Sequence, residues 1–183
     1  MKNFIRRMAG RLYSKTNVLL LKHTNNTNQQ SPAFIRPASE ENIKDTLSFQ
    51  SEKQLKRFKT FLLQGEKGFL AYLDNKCVHR SWLIQGPGKV KINKFYRIQL
   101  PENSVFIEYC ETAERARGKN IFAHVLSEIA RQFGGKEVFI SVEDTNKASL
   151  RSMQKAGFTV IKEYHITIIL NLVFVKEIRV DNK

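Results

Sequence analysis

Acidic side chains are missing from the first 39 positions of this 183-residue chain, which carry 7 lysines and arginines and no aspartate or glutamate. The imbalance persists to residue 100, with 19 basic against 6 acidic residues, and stops there: residues 101–183 hold 12 and 11. Cysteine is nearly absent. Cys77 and Cys110 cannot build a disulfide framework, neither sits at metal-ligand spacing, and a reducing, cytoplasmic setting is the expectation. Long apolar runs are lacking too. The longest, around Val18–Leu21 and Ile166–Val175, are strand-sized, well short of the ~20 residues of a membrane helix. The opening MKNFIRRMAGRLYSK has no continuous apolar stretch of the kind a secretory signal needs, and the Asn/Gln-rich segment behind it is a poor continuation of a mitochondrial leader. Nine glycines and four prolines exclude collagen and low-complexity disorder. The length favours one domain, or two small ones, with ample residues for a core.

Periodicity then supplies the elements. Phe4, Ile5, Met8 and Leu12 predict a short basic amphipathic helix over residues 3–14, followed by a strand at Asn17–His23 and a flexible polar connector at Thr24–Pro32. These make residues 1–33 a basic N-terminal extension, with a single domain over 34–183. In that domain Phe34–Pro37 reads as a strand, and Ser39 as the cap of a helix with Glu40 and Glu41 in its first turn. Ser51 and Gln54 fit a capping box ahead of the apolar face Leu55, Phe58, Phe61 and Leu62. A hairpin follows, Gly68–Leu73 and Cys77–Ile84 around Asp74-Asn75-Lys76, then strands at Phe95–Leu100 and Val105–Cys110. Ile121, Phe122, Val125, Leu126, Ile129 and Phe133 trace a helical stripe. A strand at Glu137–Glu143, a helix at Asn146–Ala156 and strands at Val160–Leu170 and Leu172–Val180 complete the chain. The order predicts an α+β (α/β/α) domain with a mixed sheet.

The chemistry concentrates in ETAERARGKNIF, where a strand ends and an amphipathic helix begins. Unpaired N–H groups and the helix dipole suit an anion at such a junction. Gly118 lets the backbone approach closely, and Arg115, Arg117 and Lys119 add positive charge. Downstream, FISVEDTNKASLRSMQKAGF sets a strand, Asn146, a short helix and Gly157-Phe158 in sequence. Together the two segments resemble the GNAT superfamily of N-acetyltransferases. RGKNIFAHVL is similar to the pyrophosphate-binding segment of that family, and the downstream run to its strand–Asn–helix–Gly-Phe ending. The likeness covers residues 34–180, with specific motifs in 105–158.

The resemblance implies a splayed sheet flanked by helices, with the pantetheine of acetyl-CoA between the strands at 105–112 and 137–143 and no metal. Cys110, Glu111 and Thr112 then lie along the pantetheine. The pyrophosphate rests on Arg117, Gly118, Lys119, Asn120, Ile121 and Phe122, with Arg115 adding charge. Asn146 fixes the following helix. Two departures stand out. Asn120 and Phe122 occupy positions that the family fills with small residues; Asn tolerates left-handed backbone angles and the Phe122 ring can pack inward. Met153 stands where many members carry a proton-donating Tyr, and a thioether donates none. Tyr164, Tyr109 or a water are the alternative acids.

An amine acceptor must lose a proton to attack a thioester, which a carboxylate can take. Strand alternation puts Phe106, Glu108, Cys110 and Thr112 on one face, and Glu108 among Val105 and Ile107 is the candidate base, with Glu111 second. A salt bridge is the structural alternative for Glu108; for Glu111 it is pairing with Arg115 or Arg117. Cys110 reads as a buried thiol ahead of an acyl carrier. His79, Ser81 and Trp82 are candidates for the acceptor pocket, or for a plain sheet face. Two function classes compete: an N-acetyltransferase acting on a small-molecule or protein amine, and a basic module binding nucleic acid or an anionic membrane surface. A CoA-binding homologue without catalysis is a third. No specific nucleic-acid motif is present. The basic first half instead suggests an acidic acceptor or a peripheral contact with an anionic surface, in a monomer or homodimer.

Overall fold

A computed structural model describes residues 13–180. Ten strands and three helices alternate in the order β1 (Tyr13–His23), β2 (Phe34–Pro37), α1 (Glu52–Leu63), β3 (Lys67–Leu73), β4 (Lys76–Gln85), β5 (Gly88–Asn93), β6 (Tyr96–Leu100), β7 (Ser104–Thr112), α2 (Ile121–Gln132), β8 (Glu137–Glu143), α3 (Lys147–Lys155), β9 (Phe158–Ile169) and β10 (Leu172–Arg179). Eight strands form one sheet in the order β10-β9-β1-β8-β7-β4-β3-β2, and β5 and β6 form a separate hairpin. Only the β7–β8 pair runs parallel; the other neighbours are antiparallel. This is the mixed α/β/α architecture that the element order predicts. No described helix is long and apolar enough to cross a membrane.

The helices form where the sequence marks them. Ser51 caps α1, its Oγ accepting the Gln54 N–H at 3.4 Å. Leu55 and Phe58 of α1 bury against Ile43 and Trp82 on one face of the sheet. On the opposite face Ile121, Val125, Leu126 and Ile129 of α2 join Val105, Ile107, Val138 and Ile140 in the largest core cluster, every one of them nearly inaccessible to water. The hairpin β5–β6 lies on the α1 face, where Val90, Ile92 and Leu100 pack on Phe106, Phe139 and Tyr164. Residues 89–93 carry no strand signal beyond their alternation, and burial of Val90 and Ile92 is what makes β5. Residues 40–48 form a turn and a 3-10 helix at Ile43–Ser48 in place of the helix expected after Ser39; Asn42 Oδ1 accepts the Ser39 N–H at 2.8 Å and holds the turn.

The expected boundary at residue 33 is corrected by the sheet. β1 is inserted between β8 and β9, paired with β9 from Tyr13 to His23 and with β8 from Val18 to Lys22, so it belongs to the domain and is no extension. Val18, Leu20 and Leu21 are buried there, and removing β1 would split the sheet. The helix expected over 3–14 lies outside the described residues except for Tyr13 and Ser14, which open β1. The connector expected to be flexible is also pinned. The N–H groups of Thr24 and Asn25 both donate to the Gly157 carbonyl, at 3.0 and 3.2 Å. Gly157 sits at φ +85°, with the Asn25 carbonyl 1.8 Å from where a Cβ would stand, so only glycine fits. Thr27 bonds Ser127 of α2, and Ser31 bonds His124 Nδ1 at 2.8 Å.

Candidate active site

The site is made by the divergence of β7 from β8. Their parallel pairing runs from Ser104↔Glu137 to Ile107↔Ile140 and ends there. On its other side β7 stays paired with β4, but with a slip: Trp82 faces Glu108 and Arg80 faces Glu111, leaving Tyr109 and Cys110 opposite Ser81. This is a β-bulge, and Tyr109 adopts φ +48° within it. Arg80 clamps it. Its buried guanidinium donates to the Tyr109 carbonyl, pairs with Glu111 at 2.7 Å, bonds Gln50 Oε1 and stacks 4.7 Å from the Phe58 ring centroid.

The bulge corrects the expected strand face. Phe106 and Glu108 point to the α1 side, whereas Cys110 and Thr112 turn with Ile107 towards α2. Two clefts result. The larger, about 930 Å³, occupies the gap between β7 and β8 towards α2 and α3. The smaller, about 410 Å³, lies on the opposite face between α1 and the β5–β6 hairpin. Ile107, Glu108, Tyr109 and Ser141 line both, so the clefts meet there.

The start of α2 forms one end of the larger cleft. Gly118 has φ +78° with nothing within 4 Å of a notional Cβ, and Asn120 follows at φ +59°. No side chain caps α2, so the N–H groups of its first turn remain available beside Arg117, Gly118 and Asn120. Phe122 turns inward against the His79 ring, 5.5 Å between centroids. An open glycine cradle and uncapped amides suit an anionic group at this end of the cleft. The Asn120 side chain donates to the Gln30 carbonyl at 2.9 Å, tying the cradle to the pinned connector. Asn146 caps α3, its Oδ1 accepting the Ser149 N–H at 3.1 Å, and lines the cleft with Met153. Arg117 also lines it. Arg115 does not: its guanidinium is spent on the carbonyls of Ser48 and Cys77, both at 3.2 Å. Lys119 is exposed and lies outside the cleft wall. Glu111 lines the cleft rim but pairs with Arg80, where Arg115 or Arg117 was expected.

Glu108 stands at the junction. Among the described residues its carboxylate makes no hydrogen bond or ion pair, so the structural alternative of a salt bridge does not apply. Burial pushes its carboxyl up to about 7, the Glu66 carboxylate adding to the rise and the Lys91 ammonium opposing it. A carboxyl poised near neutrality at the meeting point of two clefts is suited to proton transfer.

Other candidates fall elsewhere. Tyr164 is 2% exposed, packed between β1 and β10 under Tyr96, and lines neither cleft. Burial and the neighbouring Glu177 hold its hydroxyl well above the usual range, so it is a core residue. His79 and Ser81 are fully buried on the α2 side, away from the smaller cleft, in the chain Thr112–His79–Ser81–Cys110 with spacings of 2.7, 2.8 and 3.2 Å. Burial drives His79 down to about 3 and pushes the Cys110 thiol up to about 11. A neutral imidazole beside a neutral thiol is no nucleophile–base pair. Trp82 is buried in the α1 cluster with Phe58 and Phe61 and lines neither cleft. Sequence reasoning missed Ser141, Arg151 and Lys155 of the larger cleft and Phe61, Lys89, Lys91 and Arg97 of the smaller. The alternation Lys89-Val90-Lys91-Ile92 was the one legible signal for the last group. No group of three or more His, Cys, Asp or Glu side chains converges among the described residues.

No protein-family model matches the chain. No curated protein matches its sequence. Solved structures do match. An acetyltransferase of the GNAT family from Colwellia psychrerythraea superposes with a TM-score of 0.64 at 17% identity, over 90% of this chain and 60% of that one. A GNAT-family acetyltransferase from Novosphingobium aromaticivorans gives 0.58 at 12% identity, over 84% and 63%. An aminoglycoside antibiotic 6′-N-acetyltransferase from Acinetobacter haemolyticus gives 0.50 at 21% identity, over 69% and 90%. The chain spans about three fifths of the length of the first two.

Proposed function

We propose that this chain, which has the fold of the GNAT N-acetyltransferases, transfers an acyl group from acetyl-CoA to a primary amine. The observation that carries the reading is Glu108: an unpartnered carboxylate, raised to about 7, where the two clefts join. The larger cleft holds the coenzyme. Gly118 and Asn120 shape a loop that presents the α2 amides to the pyrophosphate, Arg117 adds charge, and Asn146 keeps α3 in place along the pantetheine. Acetyl-CoA supplies an activated acetyl thioester when bound.

The smaller cleft takes the amine. Glu108 accepts a proton from the nitrogen, directly or through a water, as the nitrogen lone pair forms the C–N bond. The C–S bond breaks with its electron pair on sulfur, and the proton removed from nitrogen rests on Glu108. Met153 contributes packing and no proton; the departing thiolate takes its proton from a water, and the hydroxide so formed recovers the proton held on Glu108. Holding amine and thioester at one junction lowers the barrier by orientation alone, and the base adds to it.

The test is a thermal melt with acetyl-CoA, followed by a CoA-release screen over primary amines. A native-state ligand raises the melting temperature. Stabilisation together with release on one amine class is the expected result; no shift at saturating acetyl-CoA overturns the reading.

A further inference from the structure

The smaller cleft is lined by charges of both signs. At the β7 end stands Glu108, with Glu66 close enough to raise its carboxyl further. One oxygen of Glu66 is itself buried without a hydrogen-bond partner. At the hairpin end stand Lys89 and Lys91 of β5 and Arg97 of β6. Lys91 and Arg97 are directly opposite in the hairpin register, and Lys89 lies two residues along the same strand face. Like charges directly opposite one another cost stability in a sheet. Among the described residues none of the three has an ion-pair or hydrogen-bonding partner. Phe61, Ile84 and Phe106 add apolar surface to the wall, and Lys91 lies near enough to Glu108 to oppose the rise of its carboxyl.

We infer that the acceptor is a small amine that also carries an anionic group, a carboxylate or a phosphate, with its nitrogen at Glu108 and its anion on Lys89, Lys91 and Arg97. This rests on the acyl-transfer reading of the same site. The acidic end draws a protonated amine, which releases its ammonium proton to solvent before attack; the basic end neutralises the anion and fixes which way round the molecule lies. The volume of about 410 Å³ lies within the range of small-molecule sites, which favours a metabolite-sized acceptor over a protein surface. Three unpaired cations also reject polycationic amines, whose extra ammonium groups would meet them.

The experiment uses the full chain and matched amines. Phosphoethanolamine is set against ethanolamine, γ-aminobutyrate against butylamine, and kanamycin serves as a polycation. CoA release gives kcat/KM, and calorimetric titration without acetyl-CoA gives binding. A charge-assisted bond is worth about 1.5–3 kcal/mol, so the anionic member of at least one pair is expected to exceed its neutral partner by about 10-fold or more. Which pair shows it separates phosphate from carboxylate. The double variant Lys91→Gln/Arg97→Gln is expected to bring that ratio close to one while the KM for acetyl-CoA stays put. Added salt is expected to weaken calorimetric binding of the anionic amine. Equal use of neutral and anionic amines, or preference for kanamycin, overturns the inference and leaves acyl transfer standing. Binding of an anionic amine without CoA release for any amine supports the anion site and overturns acyl transfer. Absence of both selective binding and selective turnover for every anionic amine overturns the inference.

Discussion

The two clefts share four residues and are built in different ways. The larger is mostly backbone: a parallel gap, a glycine at φ +78°, an asparagine at φ +59° and the uncapped start of a helix. The smaller is made of side chains that arrive from α1, β4, β7 and the β5–β6 hairpin. A backbone site suits a ligand that is the same throughout a fold family, because amides and a helix start recognise phosphate whatever the surrounding side chains. A side-chain site is free to change with every acceptor. The β7 bulge connects the two. By turning Cys110 and Thr112 to one side and leaving Glu108 on the other, it places an unpartnered carboxyl where the two clefts meet.

The change that breaks this connection most strongly is Glu108→Gln. General-base catalysis contributes about 10²–10⁴-fold, so kcat is expected to fall by that order with the acetyl-CoA KM nearly unchanged, as steady-state kinetics would read. In the unsubstituted protein the rate is expected to rise with pH and level off above about 7, and the substitution should remove that limb. Stability moves the other way. A carboxyl raised from 4.5 to about 7 contributes stability at low pH that is lost as pH rises through 7. Glu108→Gln should therefore melt higher than the parent at pH 8, with the gain shrinking towards pH 4.5. A loss of acetyl-CoA binding in a folded Glu108→Gln protein would place Glu108 in the architecture instead.

Arg80→Met tests the bulge itself. It strands the Tyr109 carbonyl and unpairs Glu111, at a cost of about 1–3 kcal/mol for the buried acceptor, visible in a denaturant melt and accompanied by lost turnover. Gly118→Val tests the backbone cleft alone. A β-branched residue in the left-handed region costs roughly 1–2 kcal/mol and fills the cradle, so acetyl-CoA binding should weaken by about tenfold while kcat at saturation holds. The smallest effect is expected at Cys110→Ala. With the thiol held up to about 11 it carries no acyl group, and activity should stay close to that of the parent in a CoA-release assay. Abolished turnover with intact CoA binding would restore Cys110 as a nucleophile.

The coenzyme side was largely legible in sequence. Gly118, Asn120 and the cap Asn146 are local features, set by neighbours within a few residues, whereas the inward turn of Phe122 depends on His79. Glu108 was also legible, as an acid among apolar strand residues. Arg115, Lys119, His79, Ser81, Trp82 and Tyr164 were not placed correctly. Their residue types allow either a ligand contact or a packing role, and partners such as Ser48, Thr112 and Tyr96, far off in the chain, decide between the two.

By itself, the sequence determined the three α-helices, the caps Ser51 and Asn146, most of the strands and the glycine-bearing junction. These follow from short-range preferences of backbone and side chain. Tertiary structure alone decided that β1 sits in the middle of the sheet, that a polar connector is pinned to Gly157, and that β7 bulges at Tyr109. It also brought three of the early basic residues, Lys89, Lys91 and Arg97, to the wall of one cleft. The physical reason is common to all four. Strand pairing and burial join residues tens of positions apart, and a one-residue slip reverses every side chain beyond it, which no local pattern records.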